Sequence, residues 1–158
     1  MRPKHSLPLP AADRVAPLSQ TAEYALRAMV YLALNPNEGV RSSDLASAIN
    51  VPSHYLSKVL RKLVEAGLLA SQKGHGGGFT LARDPDGIPF SDILAAVGEE
   101  PSGERCAFGW GRCDARNPCP LHPAWSKLNA AMLAWAQSTT LADVVMTAAS
   151  QRPASAFK

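Results

Sequence analysis

The chain has 158 residues, 46% of them hydrophobic and 18% charged, which suits one domain, or a small domain with an appendage, that buries a core. No apolar run approaches the length of a membrane span, and residues 1–17 carry Arg2, Lys4 and four prolines without the apolar segment of a signal peptide. The net charge is a modest +3, and the odd number of cysteines, three, argues against a disulfide framework. The sequence therefore predicts a cytoplasmic protein with no membrane segment, whose residues 1–17 form a flexible tail.

Two helices are predicted after this tail. The first ends near Asn35-Pro36, and its apolar residues recur at helical spacing: Ala22, Ala25, Leu26, Met29, Val30, Leu32 and Ala33. The second opens at Ser42 or Ser43 and runs to about Ile49. Asp44 favours this start because a negative charge stabilises a helix N-terminus.

A third helix follows the short turn at Asn50-Val51-Pro52, with Ser53 predicted to cap it and Gly67 to end it. One face is apolar and contains Leu56, Val59, Leu60, Leu63 and Val64. The rest is polar and basic and contains His54, Tyr55, Ser57, Lys58, Arg61 and Lys62. Two helices across a tight turn, the second with a basic face, are typical of a helix-turn-helix.

The next segment predicts a β-hairpin wing. Residues 68–73 and 79–83 read as strands, and Gly74-His75-Gly76-Gly77-Gly78 forms the tip between them. The alternative, a nucleotide-phosphate loop, lacks the Walker spacing.

From Arg41 to Arg83 there are six basic and two acidic side chains, whereas residues 84–104 hold six acids and no lysine or arginine. The basic block together with the wing predicts a winged helix-turn-helix at residues 18–90 that binds duplex DNA.

All three cysteines lie in one stretch after a short predicted helix at Asp92–Val97. Cys106, Cys113, Cys119 and His122 are separated by six, five and two residues, among several glycines and prolines. Three thiols and an imidazole on one loop are a ligand set for a soft or borderline metal centre, and spacing alone leaves zinc and iron–sulfur open. A thiol switch without metal is a further alternative. An enzyme is not predicted, because the histidines accompany no nucleophile motif.

The C-terminal part reads as helical from about Ala124. Trp125, Leu128, Met132 and Trp135 form a near-heptad apolar seam, which predicts a dimer interface, with packing inside the chain as the alternative. Residues 140–143 read as a capping box that opens a last helix. The predicted organisation is thus a helix and a metal- or cluster-binding loop at 91–123, dimerisation helices at 124–150 and a tail at 151–158. The predicted fold class is mainly α with a small β-wing.

From Leu18 to about Val145 the chain resembles the winged-helix bacterial regulators typified by IscR, an iron–sulfur regulator, and NsrR, a nitric-oxide sensor. The resemblance covers about four-fifths of the chain, in the right order: residues 18–29 of the first helix, Tyr55-Leu56, residues 73–79 of the wing, and the cysteine loop. It implies a homodimer on palindromic double-stranded DNA, acting as a repressor. Operator binding would be controlled by a cluster that senses redox state, iron–sulfur status or nitric oxide.

The resemblance also implies roles for individual residues. Cys106, Cys113 and Cys119 match the three cysteine ligands, and His122 matches the histidine that completes a 2Fe–2S site, with 4Fe–4S or zinc as alternatives. Glu23 matches a carboxylate that, in NsrR-like sensors, ligates the cluster of the partner subunit. The chain departs from the IscR pattern in its six-residue first cysteine gap, and at the wing in Lys73 and His75, where arginine and proline are common.

The predicted DNA contacts lie where such folds reach bases and phosphates. They are Ser43, Ser53, His54, Tyr55, Ser57, Lys58, Arg61, Lys62, Lys73, Gly74 and His75.

Overall fold

The computed structural model describes residues 18–36, 39–99 and 105–151. Its elements are α1 (Gln20–Leu34), α2 (Ser42–Ala48), α3 (Ser53–Glu65), β1 (Leu69–Gln72), β2 (Gly78–Leu81), a 3₁₀ turn (Pro85–Gly87), α4 (Phe90–Ala96), α5 (His122–Ser138) and α6 (Leu141–Gln151). This is the mainly α fold with a two-stranded antiparallel wing that the sequence predicts. The predicted tails lie outside the described residues, except for Gln151, which ends α6.

Helix α1 lies at the centre of the core. It contacts α3, α4, α6 and β2, and small residues such as Ala22, Ala25 and Ala28 are fully buried, which lets these neighbours approach closely. Ser19 caps the helix, since its Oγ accepts a hydrogen bond from the Ala22 N–H at 3.2 Å. The helix ends at Leu34, as its sequence predicts.

The helix-turn-helix is formed by α2 and α3. Asn50, in the turn, has a φ of +55°, a left-handed conformation that asparagine tolerates better than most residues. Helix α3 follows Pro52 as its N-cap and makes no side-chain capping bond, so the prediction that Ser53 caps it is wrong. Proline has a fixed φ suited to a helix start, and Ser53 becomes the first helical residue instead. The apolar face of α3 is buried as predicted: Leu56, Val59, Leu60 and Leu63.

The wing is held against the chain that precedes α2. Strands β1 and β2 pair in register from Leu69 with Leu81 to Gln72 with Gly78. Val40 and Phe79 exchange two backbone hydrogen bonds, of 3.1 and 2.8 Å, which extends the sheet by one bridge. A Cβ at Gly78 would lie 2.6 Å from the Val40 carbonyl carbon, and its φ is +149°. Only glycine fits at this crossing.

Helices α4, α5 and α6 complete the core. Helix α4 contacts α1, α3 and α5, and α6 contacts α1 and the 3₁₀ turn. Trp135 of α5 packs edge-on against Phe90 of α4, with ring centroids 5.6 Å apart. The predicted capping box is confirmed, because the Thr140 N–H donates to Asp143 at 2.8 Å and the Asp143 N–H donates to the Thr140 hydroxyl at 3.3 Å. Among the described residues no helix is long and apolar enough to cross a membrane.

Candidate metal centre and nucleic-acid interface

The cysteine loop joins the segment after α4 to the start of α5. Its first half folds back on itself, because the Cys106 N–H donates to the Gly111 carbonyl at 3.1 Å and the Gly109 N–H donates to the Cys106 carbonyl at 3.0 Å. Gly109 and Gly111 both have left-handed φ values, +71° and +97°, which side chains with a Cβ rarely adopt. The tight turn therefore depends on these glycines and brings Cys106 toward the later cysteines.

The four predicted metal ligands come together in two pairs. Cys106 Sγ lies 3.7 Å from Cys119 Sγ, and Cys113 Sγ lies 3.0 Å from His122 Nδ1. His122 is the first residue of α5, which begins two residues earlier than expected. Within ranges 18–36, 39–99 and 105–151, no three histidine, cysteine or acidic residues are arranged to hold a single metal ion.

All four donors nevertheless line one pocket of about 400 Å³. The pocket is open to solvent, and all three cysteines are half-buried thiols. Its lining comprises Cys106, Trp110, Arg112, Cys113, Asp114, Asn117, Pro118, Cys119, Pro120 and His122. The donor chemistry, three thiols and one imidazole around a shared space, fits a thiophilic metal centre.

The pocket environment shifts the pKa values of two of its thiols in opposite directions. Hydrogen bonds from backbone N–H groups, that of Phe108 foremost, lower the pKa of Cys106. Partial burial, followed by the charges of the neighbouring cysteines, raises the pKa of Cys113. The folded loop thus favours the thiolate of Cys106 and disfavours that of Cys113, and the thiolate is the form that binds metal.

Trp125 positions the start of the loop. Its indole Nε1 donates to the Arg105 carbonyl at 2.7 Å, across twenty residues of sequence. The spacing of Trp125 with Leu128 and Met132 predicts a place on the apolar seam and gives no sign of this bond. The signal for its second role is the indole N–H, a donor that a partly buried tryptophan usually satisfies.

Glu23, the alternative fourth ligand, lies on α1. It is ion-paired with Arg27 one turn along the same helix, and its side chain is 38% exposed. Arg27 also reaches the Ile49 carbonyl at 3.4 Å, next to the helix-turn-helix turn. Glu23 does not line the cysteine pocket of its own chain.

Most of the predicted DNA contacts form an exposed surface. Ser53, His54, Ser57, Lys58 and Arg61 are exposed on α3, Ser43 is exposed on α2, and Lys73, Gly74 and His75 are exposed at the wing tip. The Ser57 hydroxyl lies 3.3 Å from the Ser42 hydroxyl, which ties the two helices of the motif together at this surface. Arg61 pairs with Glu65 at 2.9 Å on the same helix.

Two residues of that predicted set also contact the body of the protein, the half-buried Tyr55 and the exposed Lys62. Tyr55 is half-buried against α1: its hydroxyl is 2.7 Å from the Thr21 hydroxyl, and its ring packs edge-on against Tyr24. Lys62 Nζ donates to the Val97 carbonyl at 3.4 Å, at the C-terminus of α4, where a positive charge is favourable. Both side chains attach α3 to the body of the protein.

The family model Rrf2, described as iron-dependent transcriptional regulator, matches residues 18–147. The chain belongs to the Rrf2 family. It is 36% identical over 129 residues to an HTH-type transcriptional regulator of Aquifex aeolicus, covering 80% of this chain and 90% of that one. It is 31% identical to the HTH-type transcriptional regulator IscR of Cronobacter sakazakii, covering 81% of this chain and 79% of that one. The resemblance drawn from the sequence is confirmed.

Solved structures share the fold of this Rrf2 protein. CymR, the global cysteine regulator of B. subtilis, superposes with a TM-score of 0.70 over 84% of this chain and 98% of its own, at 24% identity. IscR of T. potens gives the same TM-score over 87% and 92%, also at 24% identity. The protein is therefore a winged-helix, DNA-binding transcriptional regulator, as its family and relatives are.

Proposed function

We propose that this Rrf2 protein is a homodimeric repressor whose affinity for a palindromic operator is set by an iron–sulfur cluster. The observation that carries the proposal is that Cys106, Cys113, Cys119 and His122, spread over seventeen residues of sequence, all line one pocket. Its relatives at about 30% identity include IscR regulators, and its family is described as iron-dependent.

The pairing of the donors favours a 2Fe–2S cluster over a single zinc ion. A structural zinc needs four donors around one atom, whereas a 2Fe–2S cluster takes two protein ligands on each of two irons. Here one pair is Cys106 with Cys119 and the other is Cys113 with His122. A 4Fe–4S cluster, with one ligand per iron, would require the pairs to separate.

His122 is proposed as the fourth ligand ahead of Glu23 of the partner subunit. His122 lines the pocket beside Cys113 in the same chain, whereas Glu23 is held by Arg27 on α1. A Glu23 ligand would have to give up this ion pair and reach across a dimer. The tethered imidazole therefore has the higher effective concentration at the site.

The ligand set suits a sensor. When bound, the cluster supplies reversible one-electron chemistry, and a single imidazole among thiolates is a weaker, protonatable ligand that raises the reduction potential relative to four thiolates. The protein's own part is to aim the backbone N–H groups of residues 108–110 at Cys106 and to anchor Arg105 through Trp125. These contacts hold the loop closed while leaving one ligand labile.

The coupling to DNA is proposed to pass through α4 and α5. The loop ends in α5, whose exposed Leu128 is available for a dimer partner, and α5 packs on α4 through Trp135 and Phe90. Helix α4 in turn accepts the Lys62 bond from the recognition helix α3. A change in the loop can therefore reorient the two recognition helices of a dimer.

The cluster part of the proposal is tested by anaerobic purification, followed by visible absorption and assay of iron, acid-labile sulfide and zinc per chain. A coloured protein with about two irons and two sulfides per chain is the expected result for 2Fe–2S. Single Cys→Ala variants at positions 106, 113 and 119 should each lose the colour. A colourless protein with stoichiometric zinc would support a zinc-stabilised regulator, and one without metal a thiol-switch regulator.

A further inference from the structure

The thiols of Cys106 and Cys119 lie next to each other in the pocket. Their Sγ atoms are 3.7 Å apart, so a shift of about 1.7 Å brings them to disulfide bond length. Both are half-buried, and both line a pocket open to solvent, so small oxidants reach them. Cys113 differs, because its Sγ lies 3.0 Å from the imidazole of His122.

We infer that Cys106 and Cys119 form an intramolecular disulfide in the cluster-free protein, with Cys113 remaining a free thiol. This inference rests on the proposed function only in one respect: a bound cluster occupies both sulfurs and prevents the bond. Three cysteines allow three pairings, and the short distance between the Cys106 and Cys119 Sγ atoms favours this one. The modified site is therefore specific and distinct from random thiol oxidation.

The loop is built to bring these two residues together. The Arg105–Arg112 bridge and the left-handed Gly109 and Gly111 fold the Cys106 end back, and the Trp125 bond holds that end against α5. The His122 N–H donates to the Cys119 carbonyl at 3.0 Å, which holds the other end at the start of the same helix. Both cysteines are thus held near the start of α5, Cys106 through the neighbouring Arg105 carbonyl and Cys119 through its own carbonyl. The disulfide therefore requires only a small local movement.

The reaction proceeds by thiol–disulfide exchange with a small-molecule disulfide such as oxidised glutathione. One of the two thiolates attacks a sulfur of the oxidant, forms a mixed disulfide and releases one glutathione thiolate. The second cysteine thiolate attacks the protein sulfur of that mixed disulfide and releases the other glutathione. Two cysteine thiols are oxidised with loss of two protons, and one glutathione disulfide is reduced to two thiols.

The consequence is a cluster-free state that resists loading. The disulfide removes two of the four donors, so iron and sulfide cannot assemble at the pocket until a reductant restores the thiols. A protein that loses its cluster under oxidising conditions would then form the disulfide, and it could bind a new cluster only after the disulfide is reduced. The disulfide thus adds a second redox-dependent step to the proposed cluster sensor.

Peptide mapping tests the pairing directly. Trypsin places each cysteine in its own peptide, since cleavage after Arg105, Arg112, Arg116 and Lys127 yields residues 106–112, 113–116 and 117–127. The full-length cluster-free protein is incubated with oxidised glutathione, alkylated, digested without reduction and analysed by mass spectrometry. The expected product is peptide 106–112 linked to peptide 117–127, with alkylation at Cys113. Circular dichroism before and after oxidation checks that the chain stays folded.

Variants and a loading assay complete the test. Cys113→Ser should still give the linked peptides, whereas Cys106→Ser and Cys119→Ser should not. Wild-type protein that has been oxidised should take up cluster from iron and sulfide more slowly than the reduced protein, because sulfide must first cleave the disulfide, and prior reduction should restore the rate. Links through Cys113, stable glutathione adducts, or no link at all would overturn the inference. If the reduced protein still takes up a cluster in that case, the proposed function stands without the disulfide.

Discussion

His122 is the residue on which the identity of the cluster depends. It lies at the N-terminus of α5 with its Nδ1 3.0 Å from Cys113 Sγ, whereas Glu23 is ion-paired with Arg27 on α1. His122→Ala should therefore change the visible spectrum of the anaerobic protein, and Glu23→Ala should leave it unchanged. The opposite pattern would assign the fourth ligand to the carboxylate of the partner subunit.

Trp125 offers a second test at a single side chain. Replacement by phenylalanine keeps the apolar ring but removes the bond to the Arg105 carbonyl, so the start of the loop is less well held. We expect the Trp125→Phe protein to lose its cluster in air several-fold faster than the wild type. The decay of visible absorption measures this rate. Trp135→Phe is the matched control, because Trp135 packs on Phe90 and lies outside the pocket lining. Equal decay rates for both variants would contradict the positioning role.

At the level of individual residues, the sequence predicts which side chains line the pocket but not which of them pair. The spacing of cysteines and histidine predicts the members of the pocket, since short loops keep such residues near each other. The spacing does not predict which donors pair, because that depends on the fold-back at Gly109 and Gly111. Tyr55 reads as part of the polar face of α3, yet its ring and hydroxyl both find partners on α1, which periodicity alone does not reveal.

At the scale of elements, the wing supplies a test of DNA contact. Lys73 is exposed beside the wing tip, whereas Lys127 is an exposed lysine of α5 outside the predicted DNA contacts. Lys73→Ala should weaken binding to many duplex sequences and reduce the salt slope of log K by about one unit for each lost phosphate contact. Lys127→Ala is the matched control and should change the slope less. An unchanged affinity and slope for Lys73→Ala would remove the wing from the interface.

The capping box at the start of α6 gives a prediction for stability against pH. Hydrogen bonds from the Thr140 N–H and hydroxyl lower the pKa of Asp143, so the folded state favours the carboxylate. This stabilisation is present above the pKa of the unfolded chain and is lost as pH falls through the lower folded pKa. Asp143→Ala should lower the Tm at neutral pH and have little effect in strong acid, measured beside Asp86→Ala, an exposed control. A Tm loss independent of pH would contradict the assignment.

Element boundaries follow from the sequence to within two residues because caps and glycines have local causes. Asn35, Gly67 and the Thr140–Asp143 box each end or begin a helix where the sequence predicts. Helix α3 begins at Ser53 after a proline cap, and α5 begins at His122 rather than near Ala124. In both places proline near the first turn is compatible with the helix, and it extends the element beyond its apolar repeat.

At the scale of the whole molecule, the cysteine pocket and the recognition helix α3 are connected through residues that lie far apart in the sequence. No local pattern contains it: Lys62 and Val97 are thirty-five residues apart, and Phe90 and Trp135 meet only in the folded core. The resemblance to IscR-like regulators predicts that a cluster and an operator are linked, and the packing of α4 between α3 and α5 supplies a physical route for that link.

The central claim is that cluster state, rather than metal as structural support, sets operator affinity. The most direct measurement titrates one palindromic duplex, selected from a random library with the cluster-loaded protein, against loaded, anaerobically reduced and cluster-free forms, with circular dichroism on each. We predict that loaded and cluster-free dimers differ in affinity by roughly ten- to a hundred-fold, the usual size of an allosteric coupling, while all forms keep their helical content. Equal affinities in all three forms, or loss of helix when the cluster is removed, would contradict the account.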